Sequence, residues 1–204
     1  MKRFIPSEFG SVPITPKVAA FPLYSSMFQI KKHLEEHAKT ENLTWTVLVC
    51  GAFLELLLGS PMLLDFPNHK AELIDGGNNR ISSTSLPNIG KAIVGILNNF
   101  ETTKNKIVKV SEVILTQNQL LSIAGELRPD INWEISNIKA SEVLQEGLDG
   151  VSAGDLTAFL KIAKGIAGAG DVYGAAYDET DNELLGVKTL TVENLRSIVA
   201  GKLA

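Results

Sequence analysis

The chain of 204 residues is 45% hydrophobic and 21% charged, with a formal net charge of -4, values that are ordinary for a globular protein. Acidic and basic residues are interspersed and no lysine- or arginine-rich run occurs. Direct binding to nucleic acid is therefore not expected. The longest apolar stretch, residues 47–64, is broken by Gly51, Glu55, Gly59 and Pro61, so no membrane span is expected. The single cysteine excludes an internal disulfide and predicts a cytoplasmic protein.

The first elements in chain order form a predicted strand–helix–strand unit. Phe4 and Ile5 indicate the end of a short buried strand, and residues 10–20 form a proline-containing loop. Apolar residues at helical spacing predict an amphipathic helix over residues 22–39. The nearly continuous apolar segment 43–50 predicts a strand that is buried on both faces. Such a strand belongs to a sheet covered on both sides, so we expect a parallel sheet in an α/β fold.

Predicted strands and helices alternate along the rest of the chain. The predicted strands cover residues 71–75, 106–114 and 133–138. The predicted helices cover residues 53–58, 86–98, 141–148, 155–166 and 192–203. A further helix is predicted to begin after its N-cap Thr116 and to run to Leu127, because Pro129 stops it. The helix over 86–98 has Ser85 as its expected N-cap, and its expected buried stripe is Leu86, Ile89, Ile93 and Leu97.

Three motifs have both a functional and a structural interpretation. The glycines between Gly168 and Gly174 resemble a phosphate-binding turn but follow a helix-patterned segment instead of a strand, so a helix end and loop are favoured. His33 and His37 are spaced to chelate a metal from one helix, but no third ligand is recognisable and a solvated helix face is favoured. Cys50 ends a buried strand, and core packing is favoured over a role as a nucleophile. No metal site is expected.

Ser7 and Glu8 follow directly after the first predicted strand. Open α/β sheets bind ligands in the crevice beyond the carboxyl ends of their strands. A serine and a glutamate at that position can contact a ligand or can anchor the loop through their side chains. The sequence leaves both interpretations open.

Five segments in this order resemble the NmrA-like, isoflavone-reductase-like family, and its fungal members in particular: KRFIPSEFG, PLYSSMFQIKKHLEE, LTWTVLVCGAF, TSLPNIGKAIVGIL and DNELLG. The first segment is specific, and the later ones are individually weak but correctly ordered. The resemblance implies an NAD(P)-binding Rossmann domain followed by a smaller substrate domain. It assigns residues 1–60 to the C-terminal remainder of the Rossmann domain, with an incomplete, Rossmann-like parallel sheet. It assigns residues 61–204 to an α/β substrate-binding domain that is partly interleaved with that sheet.

The resemblance also implies site residues. Reductases of the family carry a lysine on the helix after SEFG, and that position is Met27 here, so no catalytic residue is expected; the spacing of Met27 favours core packing. Ser7, Glu8, Lys31 and Phe53 are the expected contacts to NADP. A solvent-facing side chain is an equal alternative for Lys31, and core packing is the alternative for Phe53.

The function that the resemblance implies is NAD(P)H-dependent reduction of a small aromatic, phenylpropanoid- or isoflavonoid-like molecule. The chain is expected to be an N-terminally truncated member that is inactive alone, because it carries no glycine-rich cofactor turn. A non-catalytic, NAD(P)-sensing regulatory or interaction protein on the same scaffold is the alternative, favoured by Met27. A start site upstream of Met1 is a further interpretation, and it predicts oligomers or aggregates through an exposed sheet edge.

Overall fold

Parallel strand pairs dominate the sheets. The computed structural model describes residues 2–10, 12–13, 15–40 and 43–204, without the side chains of Leu23 and Thr40. The strands are β1 (Arg3–Phe4), β2 (Thr44–Val49), β3 (Ala52–Phe53), β4 (Lys70–Ile74), β5 (Ile81–Thr84), β6 (Lys106–Lys109), β7 (Val113–Leu115) and β8 (Glu134–Ile138). Within the described residues, β1, β2 and β6 form one parallel sheet and β4 and β8 another. In a third sheet, β5 lies between parallel β3 and antiparallel β7.

Helices surround these sheets. They are α1 (Pro16–Ala19), α2 (Pro22–Thr40), α3 (Leu54–Gly59), α4 (Leu86–Asn98), α5 (Gln117–Leu127), α6 (Ala140–Ser152), α7 (Phe159–Gly168), α8 (Asn182–Leu185) and α9 (Val192–Lys202). The α/β class with a parallel sheet is therefore confirmed. Across the described part of the chain, no helix is both long and apolar enough to cross a membrane.

The unit β1–α2–β2 follows the predicted order. Every residue of β2 from Trp45 to Val49 is buried, as expected for a strand covered on both faces. Arg3 ties the unit together, because its guanidinium donates to the hydroxyls of Thr44 at 2.7 Å, Thr46 at 2.7 Å and Thr103 at 3.0 Å. The first strand is thus fixed to β2 and to the turn before β6.

The prediction of a buried first strand is wrong for Phe4, which is 36% exposed. Within the described residues β1 pairs with β2 alone, so one side of this strand has no neighbour. The predicted loop over residues 10–20 contains the short helix α1, whereas Ser11 and Ile14 lie outside the described residues.

The single strand predicted over residues 106–114 is two strands. The chain turns between Val110 and Glu112, so β6 pairs parallel with β2 whereas β7 pairs antiparallel with β5. The sheet that contains β1 and β2 therefore takes a strand from beyond residue 60. The division of the chain at residue 60 stays a prediction.

The buried face of α4 differs from the predicted stripe. Leu86 and Leu97 are each 53% exposed, whereas Ile89, Ala92 and Ile96 are buried. The reason is Gly95: a Cβ there would lie 2.5 Å from the carbonyl oxygen of Leu185, so the helix turns its small residues toward α8. Ser85 occupies the N-cap position as predicted, but its side chain makes no cap hydrogen bond to the helix.

Strand β5 has no apolar pattern and was not predicted. Its residues Ser82, Ser83 and Thr84 are all fully buried. Their hydroxyls are satisfied inside the protein: Ser82 Oγ accepts from the Tyr177 N–H at 2.9 Å, and Ser83 Oγ donates to the Ala52 carbonyl at 2.8 Å. Buried hydrogen bonds of this kind, to residues distant in the chain, allow a polar segment to form a central strand.

Candidate functional site

An apolar cavity of about 200 Å³ opens where the chain leaves β1 and β2. Phe9 and Gly10, from the loop after β1, form one wall, and Gly51 follows β2 on another. Phe53, two residues after Gly51, also lines the cavity. The cavity therefore sits beyond the carboxyl ends of parallel strands, where open α/β sheets bind ligands.

Gly51 fixes the shape of this region. Its φ of 70° lies in the left-handed region, and a Cβ there would be 2.3 Å from the Ser82 carbonyl oxygen. The close approach lets β3 pack directly on β5. The Gly51 N–H donates to the hydroxyl of Tyr177 at 3.2 Å. The turn after β2 is therefore stabilised by a residue that is distant in the sequence.

Helices α2 and α7 complete the cavity. Tyr24 and Met27 lie one turn apart on α2, and Ala163 and Ala167 lie one turn apart on α7. Met27 is half-buried and also packs against the cluster that contains Val18. The core packing expected for Met27 is confirmed, and its thioether faces a site without being able to exchange a proton usefully.

Glu8 is the unusual titratable group of this region. Its side chain is 2% exposed, and neither carboxyl oxygen has a hydrogen-bond partner among the described residues. Burial raises the pKa of Glu8 to about 7, although the nearby charge of Lys31 acts in the opposite direction. The loop is held by backbone hydrogen bonds, from the Glu8 N–H to the Pro6 carbonyl at 2.8 Å and from the Gly10 N–H to the Glu8 carbonyl at 2.6 Å. A buried carboxyl without partners calls for a functional explanation.

The predicted cofactor contacts occupy three different environments. Phe53 is half-buried and lines the cavity, whereas Ser7 is exposed. Lys31 has a side chain that is only 17% exposed, and its Nζ lies 2.6 Å from Glu35 Oε1. Lys31 is therefore not a solvent-facing lysine, and its charge reaches Glu8.

Sequence reasoning missed several residues of the wall. Tyr24 lies on the apolar face of α2 three residues before Met27, so its helical spacing could have placed it beside the site. Ala163 and Ala167 come from a helix far along the chain, and nothing in their local sequence connects them with the loop after β1. Met62 is a further thioether in the wall.

Two of the three alternative motifs, Cys50 and the segment from Gly168 to Gly174, have a structural role. Cys50 is fully buried and burial raises the pKa of its thiol to about 12, as expected for core packing. The rings of His33 and His37 lie with centroids 4.2 Å apart and an interplanar angle of 53°, and in the described ranges no group of three or more His, Cys, Asp or Glu could hold a metal ion. The segment from Gly168 to Gly174 ends α7 and continues as a single 3-10 turn and loop.

The family profile described as the NmrA-like family matches residues 1–127. The chain belongs to the NmrA-like family. Oxidoreductase aprR from Aspergillus flavus is 28% identical over 204 residues, which cover 97% of this chain and 66% of aprR. This member of the NmrA-like family therefore spans a little under two thirds of that curated relative.

Two solved structures support the predicted resemblance to isoflavone reductase. A crystal structure of isoflavone reductase superposes with a TM-score of 0.70 at 19% identity, covering 96% of this chain and 65% of that one. The structure of AtPrR2 with NADP+ and (+)-pinoresinol superposes with a TM-score of 0.71 at 24% identity, covering 98% and 65%. These likenesses show that the chain has the fold of isoflavone-reductase-like NmrA proteins.

Proposed function

We propose that this chain is part of an NAD(P)H-dependent reductase-type protein that acts on a small aromatic, phenylpropanoid- or isoflavonoid-like molecule. The observation that carries the proposal is the apolar cavity at the strand ends, in which Phe9, Tyr24 and Phe53 present aromatic rings. Ligand sites of this kind are mostly apolar, with few polar groups. The aromatic ligand (+)-pinoresinol in the AtPrR2 structure supports the same substrate class.

NADP(H) is the proposed cofactor, and its reduced form NADPH would supply the hydride. We propose Phe53 as a contact to the nicotinamide end, Lys31 as a cation for a cofactor phosphate, and Ser7 as an exposed polar contact at the mouth of the site. The unpartnered carboxyl of Glu8 fits a polar group of the cofactor, because a bound hydrogen-bonding group would satisfy a side chain that is 2% exposed. The NADP+ in the AtPrR2 structure supports this choice.

The described residues contain no glycine-rich turn that joins a strand to a helix. Such a turn supplies backbone N–H groups and a helix N-terminus to the cofactor pyrophosphate. We therefore propose that the chain alone binds the dinucleotide more weakly than about 1 μM, or about -8 kcal/mol, and does not turn over. The proposed location is the cytoplasm, where a free buried thiol such as Cys50 stays reduced.

A non-catalytic, NAD(P)-sensing regulatory protein is the second candidate function. Met27 favours it, because a methionine replaces the proton-exchanging lysine that the family's reductases are expected to carry at this position. Introducing Met27→Lys into a chimera with the dinucleotide-binding segment of AtPrR2 discriminates between the two. Recovery of NADPH consumption with a phenolic substrate supports a decayed enzyme, whereas continued inactivity with retained NADPH binding supports a sensor.

The test of the cavity as an aromatic site is calorimetric titration of the purified chain with (+)-pinoresinol. Ala163→Leu places three additional carbons in the wall and should weaken binding about tenfold or more, by analogy with the energetic cost of overpacking. Ala153→Leu, at the exposed end of α6, is the matched control and should leave binding unchanged. Saturable binding that both variants retain would place the ligand elsewhere and contradict the proposed site.

Self-association through β1 is the proposed assembly. Within the described residues this strand has a neighbour on one side only, and its residue Phe4 is 36% exposed. Open strand edges pair readily with other chains. Analytical ultracentrifugation should show concentration-dependent oligomers that Phe4→Lys reduces; a monodisperse monomer at all concentrations would contradict this assembly.

A further inference from the structure

A second cleft, of about 500 Å³, lies on the opposite face of α7 from the apolar cavity. Gly165 of α7 and its C-cap residue Ala169 line this cleft, whereas Ala163 and Ala167 line the apolar cavity. Residues two apart on a helix are separated by about 200° around its axis, so the two spaces face opposite sides of one helix. The cleft is therefore distinct from the proposed reductase site.

The cleft opens at the carboxyl ends of β4 and β8. These strands pair in parallel as far as Ile74 opposite Ile138, and the next residues, Asp75 and Lys139, both line the cleft. The Asp75 N–H donates to the Ile138 carbonyl at 2.9 Å, and Asp75 Oδ1 accepts from the Ala140 N–H at 3.2 Å. A carboxylate and an ammonium group are thus placed at the edge where open α/β sheets bind ligands.

Aromatic side chains form the other wall. Phe21 and Tyr173 meet edge to face, with ring centroids 5.6 Å apart and an interplanar angle of 80°. Lys17 fixes this wall, since its Nζ donates to the Val172 carbonyl at 2.6 Å and lies 5.2 Å from the centre of the Tyr173 ring. Leu144, from α6, adds an aliphatic surface. Paired rings of this kind offer a surface on which a further aromatic ring packs favourably.

The polar end determines which ligand chemistry fits. The Asp75 carboxylate accepts a hydrogen bond, and the Lys139 ammonium group donates one. The lining carries one group of each sign, and Lys139 Nζ also lies 3.8 Å from Glu142 Oε1, so an anion is not favoured here. A hydroxyl matches the pair, because it donates its hydrogen to Asp75 while its oxygen accepts from Lys139. We propose that this cleft binds an uncharged phenol or aromatic alcohol, with its ring against Phe21 and Tyr173 and its hydroxyl between Asp75 and Lys139.

The probe for this proposal is 2-naphthol, followed by backbone amide shifts of the 15N-labelled chain. We expect saturable shifts at Asp75 and along residues 139–148, and binding about tenfold weaker for 2-methoxynaphthalene, which has no O–H to donate to the carboxylate. Asp75→Asn should also weaken 2-naphthol binding several-fold. This variant keeps an oxygen for the Ala140 N–H and tolerates the φ of 47° at this position.

Ala163→Leu is the matched control, because it fills the apolar cavity on the other face of α7 and should leave the shifts at residues 139–148 unchanged. Unchanged affinity of Asp75→Asn for 2-naphthol, or equal affinity of the chain for the methyl ether, would overturn the proposal. Shifts that are confined to residues 51–62 and are lost in Ala163→Leu would also overturn it, since they would place the probe in the apolar cavity alone.

Discussion

Replacing Glu8 by glutamine removes a buried carboxyl group while keeping the size and shape of the side chain. The structure predicts that this substitution changes how stability depends on pH. Glu8 is 2% exposed and its oxygens have no partner in the described part of the chain. The folded protein therefore favours the neutral acid, whereas the unfolded chain ionises normally.

The magnitude follows from the pKa of Glu8, which burial raises from 4.5 to about 7. Each pKa unit corresponds to about 1.4 kcal/mol, so the ionised carboxylate costs the folded state about 3 kcal/mol above pH 7. The sign follows from proton binding: between pH 4.5 and pH 7 the folded state holds a proton that the unfolded state has released. The stabilising contribution is fully present below pH 4.5 and is lost as the pH rises through 7.

The assay is urea denaturation of the wild-type chain and Glu8→Gln, followed by circular dichroism from pH 4 to pH 8.5. The free energy of unfolding of Glu8→Gln, relative to wild type, should rise by about 3 kcal/mol over this range and level off above pH 7. Any constant cost of burying the amide cancels in that difference. Glu179→Gln, at an exposed position, is the control and should give a flat difference. A flat difference for Glu8→Gln as well would refute the reasoning.

Three further predictions concern stability and reactivity. Gly51→Ala should destabilise the fold by about 3 kcal/mol or more, because its Cβ would lie 2.3 Å from the Ser82 carbonyl oxygen; a wild-type melting temperature would contradict this. Thr116→Ala should cost about 1 kcal/mol, since Thr116 Oγ1 accepts from the Gln119 N–H at 3.0 Å, and chemical denaturation measures the loss. Cys50, whose pKa burial raises to about 12, should react with iodoacetamide at pH 8 only after unfolding; rapid labelling of the native chain, detected by mass spectrometry, would show that the thiol is accessible.

The sequence was most informative where one local pattern decides the structure. The apolar residues of helix α2 recur at helical spacing, and those of strand β2 form a nearly continuous apolar run. The structure has both elements with bounds close to those predicted. Thr116 and Pro129 bracket α5 as expected, because capping and helix termination depend on a few neighbouring residues.

Long-range packing explains the failures. Strand β5 is formed by polar residues whose hydroxyls bond to Tyr177 and Ala52, partners that local periodicity does not reveal. The orientation of α4 depends on the contact of Gly95 with Leu185, which is also invisible in the helix itself. For the candidate site, the sequence singled out Glu8 from its position after a strand and Phe53 from the family resemblance, but it could not supply the wall that α7 contributes.

Helix α7 contributes to the walls of both spaces. Ala163 and Ala167 line the apolar cavity and Gly165 lines the second cleft, and a Cβ at Gly165 would lie 2.9 Å from the backbone nitrogen of Leu144, so the helix packs closely on α6. If a molecule in the cleft displaces α7, it changes the affinity of the apolar cavity by some factor. Linkage requires that a molecule in the cavity change the affinity of the cleft by that same factor. Both sites would then respond to the position of α7.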